Sequence, residues 1–367
     1  MPRSLKQFDW VLLLSTLLLI CFGILMILST TLGEAGSYDL PIRQGVFALV
    51  GLTFLFTINR FDHQIWRPLS LLFYLASVAL LVLVFTYGVA AKGSVRWIDL
   101  GIFRFQPSEL VKISTILLLA DFMATHNMKK LGNVIISALF AVIPAGLVFL
   151  QPDLGSSLVL LAIWLGMILL TEVPKKFFLA VGLSVLVILP FAVNFLQPYQ
   201  RNRLVSFLDP SIDPLGAGYN VIQSTVAVGS GGLFGLGFGR GTQSHLNFLP
   251  EHHTDFIFAT MAEELGLLGA LLLLILLVTI LFRLLKTIGR VGFFGSLTLV
   301  GLFVLVAFQA AINIGMNIGI APVTGITLPF VSYGGSSLIT LMVGIGLAES
   351  IIRTRKNGEI DELPDLG

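Results

Sequence analysis

Apolar residues occupy this chain in long blocks separated by short polar clusters, a pattern of buried or membrane-crossing helices rather than half-exposed strands. Ten blocks approach or exceed the ~18 residues that mark a membrane span. They centre on Val11–Leu28, Gly45–Ile58, Leu69–Thr86, Leu110–Ala124, Val134–Leu150, Leu158–Leu170, Phe177–Phe195, Phe256–Phe282, Phe293–Ile318 and Leu338–Ile352. The pattern predicts an all-α, polytopic membrane protein of about ten helices, forming a single domain over residues 1–367. Two connections are long: Tyr87–Pro107, and Gln197 to about Thr254 between the seventh and eighth spans. The longer one contains DPSIDPLGAGY, rich in turn formers, and a mildly amphipathic piece, Tyr219–Val228, suited to a membrane surface.

Composition agrees with this reading: 56% of residues are hydrophobic, 11% are charged, and mean hydropathy is +0.95. A soluble domain carries roughly 25% charged residues. The net charge of +2 is too small to suggest nucleic acid. The one cysteine, Cys21, lies in the first apolar block, so no disulfide framework is expected. Arg3 and Lys6 precede that block and no clean cleavage site follows it, as in a retained span. One alternating set of connections and ends gathers Arg60, Arg67, Lys129, Lys130, Lys175, Lys176, Arg283, Lys286 and Arg290 close to span ends, with Arg3, Lys6, Arg353, Arg355 and Lys356 at the termini. Such clusters mark cytoplasmic segments. Both termini are therefore expected in the cytoplasm, with the two long loops outside.

Several polar residues sit where lipid would penalise them. Glu109 and Lys112 share the first turn of the fourth span at i,i+3 spacing, suited to neutralise each other, to meet a substrate, or both. Asp121 lies near the inner end of the same span. Gln309, Asn313 and Asn317 form an amide stripe on the ninth, for which interhelical hydrogen bonding is the preferred reading. Gly315 and Gly319 form a GxxxG pair, read as packing. The stretch APVTGITLPFVSYGGSS, Ala321–Ser337, holds too many prolines and glycines for a continuous helix. Irregular backbone at membrane depth is tolerated only against protein or a wet cavity, so this stretch is expected to line one, with Ser332, Tyr333 and Ser336 offering hydroxyls. GSGGLFGLGFGRG, Gly229–Gly241, fits neither GxGxxG nor a Walker loop and is read as tight turns.

Then comes FLPEHHTDFIFATMAEELG, Phe248–Gly266, with Glu251, His252, His253 and Asp255 ahead of a long apolar run. EHHTD lacks the HExxH spacing of a zinc site. Thr254 and Asp255 are suited to cap the coming helix, and a carboxylate there is equally suited to accept a proton in an outer cavity. Glu263 and Glu264, two turns deeper, are expected to be hydrogen-bonded and structural.

Four stretches carry a family resemblance: KGSVRWIDLGIFRFQPSELVK (Lys92–Lys112), RNRLVSFLDPSIDPLGAGY (Arg201–Tyr219), the run Gln223–Gly266 and LPFVSYGGSS (Leu328–Ser337). With these the chain resembles the SEDS family (shape, elongation, division and sporulation), the integral membrane polymerases of bacterial cell-wall synthesis. DPLGAGY and GTQSHLNFLPE resemble its elongation members more than its division members. The resemblance implies an inverting glycosyltransferase of the cytoplasmic membrane that joins lipid II into β-1,4-linked glycan. It implies that the acidic residue of HTDF, here Asp255, is the essential one. It also implies substrate contact at Glu109 and Lys112, to which the outer-face positions of Arg201, Arg203, Glu251, Thr254 and Ser332 are added. A class B penicillin-binding protein is the implied partner; the chain has no SxxK or KTG motif of its own. A divalent cation, Mg or Mn, is an open expectation, and whether Asp255 would be base or metal ligand also stays open. The alternatives are a lipid II flippase and a non-catalytic scaffold.

Overall fold

The computed structural model describes residues 8–356, apart from 33–37, 92–93, 100, 102–103, 175, 179–181, 184–197, 215, 217 and 246–247. Nine of the ten predicted spans coincide with helices among the described residues. These are α1 (Trp10–Thr31), α2 (Asp39–Arg60), α3 (Trp66–Tyr87), α4 (Pro107–Thr125), α5 (Leu131–Leu150) and α6 (Leu154–Ile168), and then, beyond the long loop, three more. The predicted span Phe177–Phe195 falls largely outside the described residues.

Seven helical stretches among the described residues are long and apolar enough to cross a membrane. α4 and α6 are the departures. α4 carries Glu109, Lys112 and Asp121, and α6 has only 15 residues. α4 is nevertheless the most enclosed part of the bundle, packed by α3, α5, α6 and the later helices. It is apolar on nearly every side because it has protein on nearly every side. Outer helices instead leave one side uncovered: Leu14, Leu18 and Leu25 of α1 are exposed at helical spacing.

The two long loops are structured. Among its described residues the first holds a small antiparallel sheet, β1 (Val89–Ala91), β2 (Ser94–Asp99) and β3 (Arg104–Phe105), in the order β1-β2-β3. This sheet is a small addition to the all-α reading. The larger loop holds α7 (Pro198–Leu208), a 3-10 turn at Pro210–Ile212, α8 (Tyr219–Ser230) and the short α9 (Thr242–His245). α8 is the amphipathic piece expected from sequence. Its Val221, Ser224 and Ala227 are buried at one-turn spacing. The Ser224 hydroxyl donates to the carbonyl of Asn317 at 2.8 Å.

The last three helices are α10 (Ile257–Leu285), α11 (Phe293–Asn317) and α12 (Gly335–Lys356). α10 is not the single rod its apolar run suggests. Gly266 breaks it at φ 65°, ψ −163°. The amides and carbonyls freed there are taken by the glycine-rich segment. Leu236 and Gly237 N–H donate to the carbonyls of Glu263 and Glu264, both at 2.9 Å. Leu267 N–H donates to Gly232 at 2.9 Å. A Cβ on Gly266 would lie 2.3 Å from Gly235 N, so glycine is required at the crossing. This is the physical meaning of GSGGLFGLGFGRG, whose Gly232, Gly235, Gly237 and Gly239 all have positive φ.

The GxxxG reading needs correction. Gly315 lies in α11, but Gly319 falls beyond its end at φ 78°, so the two do not form one helix face. Asp9 and Arg283 pair through Nε at 2.7 Å, and Asp9 N–H donates to Glu349 at 3.0 Å, tying α1, α10 and α12 together at one end of the bundle. Ser29, near the other end of α1, donates to Glu264 near the start of α10. The acidic turn before α10 therefore lies at the end opposite to that pair.

Candidate active site

α11 ends at Asn317, and the chain then runs without regular structure until Gly335. Pro322, Pro329 and glycines at 319, 325 and 334 prevent helix there, as the sequence predicts. This segment is the hub on which the candidate site residues converge. The Ser332 hydroxyl donates to the Thr254 carbonyl at 2.7 Å and accepts the Leu328 N–H at 2.8 Å. Tyr333 N–H donates to the His253 carbonyl at 2.9 Å. The two segments are thus laced together along the HTD sequence.

The acidic turn has its own internal lock. Glu251 adopts φ 55°, in the left-handed region, a strain of order 1–3 kcal/mol. Its carbonyl accepts N–H bonds from Thr254 at 3.1 Å and Phe256 at 3.2 Å. Its carboxylate accepts the Thr254 hydroxyl at 2.8 Å. His252 is turned inward, Nδ1 donating to the Leu249 carbonyl at 2.9 Å, and His253 lies edge-on to Tyr333. Burial pushes the Tyr333 phenol above its usual range, with Arg43 beside it pulling the other way.

The capping reading of Thr254 and Asp255 gives way to a different arrangement. The N-cap position falls on Phe256, whose side chain makes no capping bond. The third-position amide, Ala259 N–H, is instead taken by Asn317 Oδ1 from α11 at 3.0 Å. Asn317 Nδ2 and Asn313 Nδ2 both donate to the Asp255 carbonyl, each at 3.0 Å. Asn313 Nδ2 also reaches the Ile326 carbonyl at 2.7 Å. Both amides are wholly buried. Asn313 and Asn317 of the amide stripe are therefore hydrogen-bonding glue, as expected, and what they hold is the backbone of Asp255; Gln309 departs from that reading, its Oε1 buried without a partner among the described residues. The Asp255 side chain is half-buried and faces Gly325, where an added Cβ would sit 3.6 Å from Oδ2.

The remaining candidates divide. Lys112 Nζ and Glu109 Oε1 form a buried ion pair at 2.7 Å, the mutually neutralised arrangement. The hub reaches the entrance of that helix, since Gln106 N–H donates to Ser336 Oγ at 3.0 Å. Arg203, on α7, donates to the Val323 carbonyl at 3.3 Å and helps line a small cleft with Pro152, Gln200, Pro322 and Thr324. Arg201 is exposed on the same helix. Asp121 pairs with Arg67 at 2.8 Å, away from the hub. Among the described residues no three His, Cys, Asp or Glu side chains converge as a metal cage.

Glu263 and Glu264 are fully buried and hydrogen-bonded as structural groups, with Glu263 Oε2 left without a partner among the described residues. Glu264 accepts from Ser29 at 2.5 Å and Gly239 N–H at 3.1 Å. Glu263 accepts from Thr242 and Gln243 N–H, both at 3.0 Å. Two contributors escaped the sequence reading. Gln44 on α2 donates to the Ser332 carbonyl and accepts from Gly334 N–H, bracketing Tyr333; a lone amide in the first turns of an apolar span was its only signal. Arg43 precedes it and bonds Tyr333.

The chain is similar to known proteins over nearly its whole length. The family described as cell cycle protein, FtsW/RodA/SpoVE, matches residues 9–357. The peptidoglycan glycosyltransferase MrdB of Escherichia coli K12 is 41% identical over 95% of this chain and 94% of its own. Stage V sporulation protein E of Bacillus subtilis is 39% identical, over 94% and 97%. Among solved structures, a chain of a peptidoglycan synthase complex that coordinates polymerization and crosslinking is similar at TM-score 0.80 and 34% identity, covering 95% and 98%. The rod shape determining protein RodA of Thermus thermophilus is similar at TM-score 0.71 and 30% identity, covering 95% and 97%. The chain belongs to the FtsW/RodA/SpoVE family of polytopic membrane proteins.

Proposed function

We propose that this protein is a peptidoglycan glycosyltransferase that polymerises lipid II at the outer face of the cytoplasmic membrane. The observation that carries the reading is the clamp on Asp255: two buried amides fix its backbone while its carboxylate faces the glycine of an irregular, protein-lined segment. Such an arrangement suits proton transfer, which needs one well-placed acceptor. Asp255 takes the proton from the 4-hydroxyl of an acceptor GlcNAc. That oxygen attacks the anomeric carbon of the donor MurNAc, the bond to undecaprenyl pyrophosphate breaks, and inversion gives a β-1,4 link. The leaving group is already good, so orientation of two lipid-anchored sugars supplies much of the rate. Lys112, Arg201 and Arg203 are the cations assigned to the substrate's anionic groups, and Glu109, Glu251, Thr254 and Ser332 position the groups around them. A divalent cation, with Asp255 or Glu251 as a ligand, would neutralise pyrophosphate charge.

The elongation role is favoured by the higher identity to MrdB than to FtsW proteins, 41% against 37% or less. A class B penicillin-binding protein would supply crosslinking, and both termini would lie in the cytoplasm. The test is purified protein in liposomes with labelled lipid II. Penicillin-resistant glycan polymer is the expected product. Lipid translocation without polymer would replace this reading with a flippase, and neither activity would leave a scaffold.

A further inference from the structure

The glycine-rich segment does more than repair α10. Its backbone is tied to the break at Gly266, but its large side chains point away from the protein. Leu233 is 61% exposed, Phe234 78%, Leu236 41% and Phe238 45%. Four apolar side chains within six residues would be a costly patch in water.

Their level relative to the bilayer follows from α10. Arg283, in the last turn and paired with Asp9, marks the inner boundary of the span. About 26 Å of helix separates it from Gly266, against a hydrocarbon thickness of ~30 Å. The segment that bonds to residues 263–268 therefore sits near the outer edge of the hydrocarbon. Around it, α10 also exposes Leu267, Leu268 and Leu271. Below and above Gly266 the helix differs. Ile257–Glu264 is buried throughout, whereas the part after the break alternates buried and exposed positions. The break is where the chain passes from enclosure in protein to a lipid-facing span.

Irregular backbone at this depth needs its polar groups satisfied internally. Much of the segment meets that condition. Gly235 N–H donates to Gly231 at 2.8 Å, Leu236 and Gly237 to α10, and Arg240 to Gly237, while the Gly232 and Leu233 carbonyls accept from Leu267 and Leu268. A solvent-facing loop has no need of such closure, since water would serve.

We propose that Leu233–Phe238 is a membrane-inserted wedge whose partner is the acyl region of the outer leaflet, fastening the large outer loop to the bilayer. The proposal rests on α10 being a span with its start outside, and on nothing about the reaction. The same loop continues through Gly239, Thr242 and Gln243, which are clasped by Glu264 and Glu263. Anchoring the wedge thus fixes the level of the outer end of α10, and with it the turn that carries Asp255.

The experiment places an environment-sensitive fluorophore on Phe234→Cys in a Cys21→Ser background, in lipid nanodiscs. Lys129→Cys, in an exposed turn, is the water reference, and Val278→Cys, 60% exposed in α10, is the lipid reference. The expected result is at least twofold stronger quenching of the Phe234 probe by shallow doxyl lipids than of the Lys129 probe. Its quenching by iodide should be several-fold weaker than at Lys129. Iodide access equal to that at Lys129 would overturn the proposal and place the segment in water. Shielding from both quenchers would also overturn it, showing a protein surface against the segment. Neither outcome bears on polymerisation, so failure here is separable from failure of the glycosyltransferase reading.

Discussion

Replacing Asn317 isolates the role of the amide clamp without touching a residue assigned to the reaction. Its side chain makes three bonds of 3.0 Å or shorter: Oδ1 accepts Ala259 N–H at 3.0 Å, and Nδ2 donates to the Asp255 carbonyl at 3.0 Å and the Asn313 carbonyl at 2.7 Å. Asn317→Ala removes all three in a fully buried setting. The Ala259 amide is left without its partner, while the Asp255 and Asn313 carbonyls keep other donors or their second lone pair. One orphaned donor costs about 1–3 kcal/mol and each lost net bond about 1 kcal/mol, so destabilisation of about 3–5 kcal/mol is expected. The functional effect has a separate scale. A shift of about 1 Å in a catalytic group lowers turnover by about 100-fold. The assay is lipid II polymerisation by detergent-purified, monodisperse variant, with thermal unfolding measured in parallel. Asn317→Asp keeps the acceptor for Ala259 and loses both donor bonds, so it should recover part of the stability and little of the turnover. Turnover within twofold of wild type for Asn317→Ala would refute the idea that the clamp positions Asp255.

Other substitutions follow from the same contacts. Gly266→Ala forces a Cβ onto Gly235 N at 2.3 Å in a left-handed backbone; a cost of 1–3 kcal/mol for the conformation alone should lower the unfolding temperature and turnover together. Lys112→Met leaves the Glu109 carboxylate buried without its cation, a loss of roughly 3–5 kcal/mol. Adding Glu109→Gln should restore stability but not polymerisation, and full activity of that double variant would reduce the pair to a structural bridge. Ser332→Ala removes one bond to Thr254 and one from Leu328; about 2 kcal/mol of stability and a several-fold fall in turnover are expected, checked by unfolding and initial rates.

The helices were legible because a membrane imposes a length and an apolar composition that survive without an alignment. Nine predicted blocks and nine helices correspond among the described residues, and the irregular hub was visible in its prolines and glycines. The break in α10 was not legible. Gly266 stands among strong helix formers, and the groups that compensate for it come from a loop some thirty residues earlier. The three short strands carry too few positions for their period to register. At the site, Asp255 stood out from Glu251 and the histidines only through the family resemblance, since the four look alike in a turn. The amides of α11 were visible as a stripe. What they bind was not, because the Asp255 carbonyl is a backbone group and leaves no mark in the sequence.

The most direct test of the account is the polymerisation of lipid II by purified Asp255→Asn protein beside wild type. The exchange preserves the shape of the side chain and leaves the backbone clamp from Asn313 and Asn317 in place. The account predicts an unfolding temperature close to that of wild type and a loss of polymer of at least 100-fold, the scale of general-base assistance. Polymer formed at the wild-type rate would contradict it, because neither proton acceptance nor cation binding by Asp255 would then be needed.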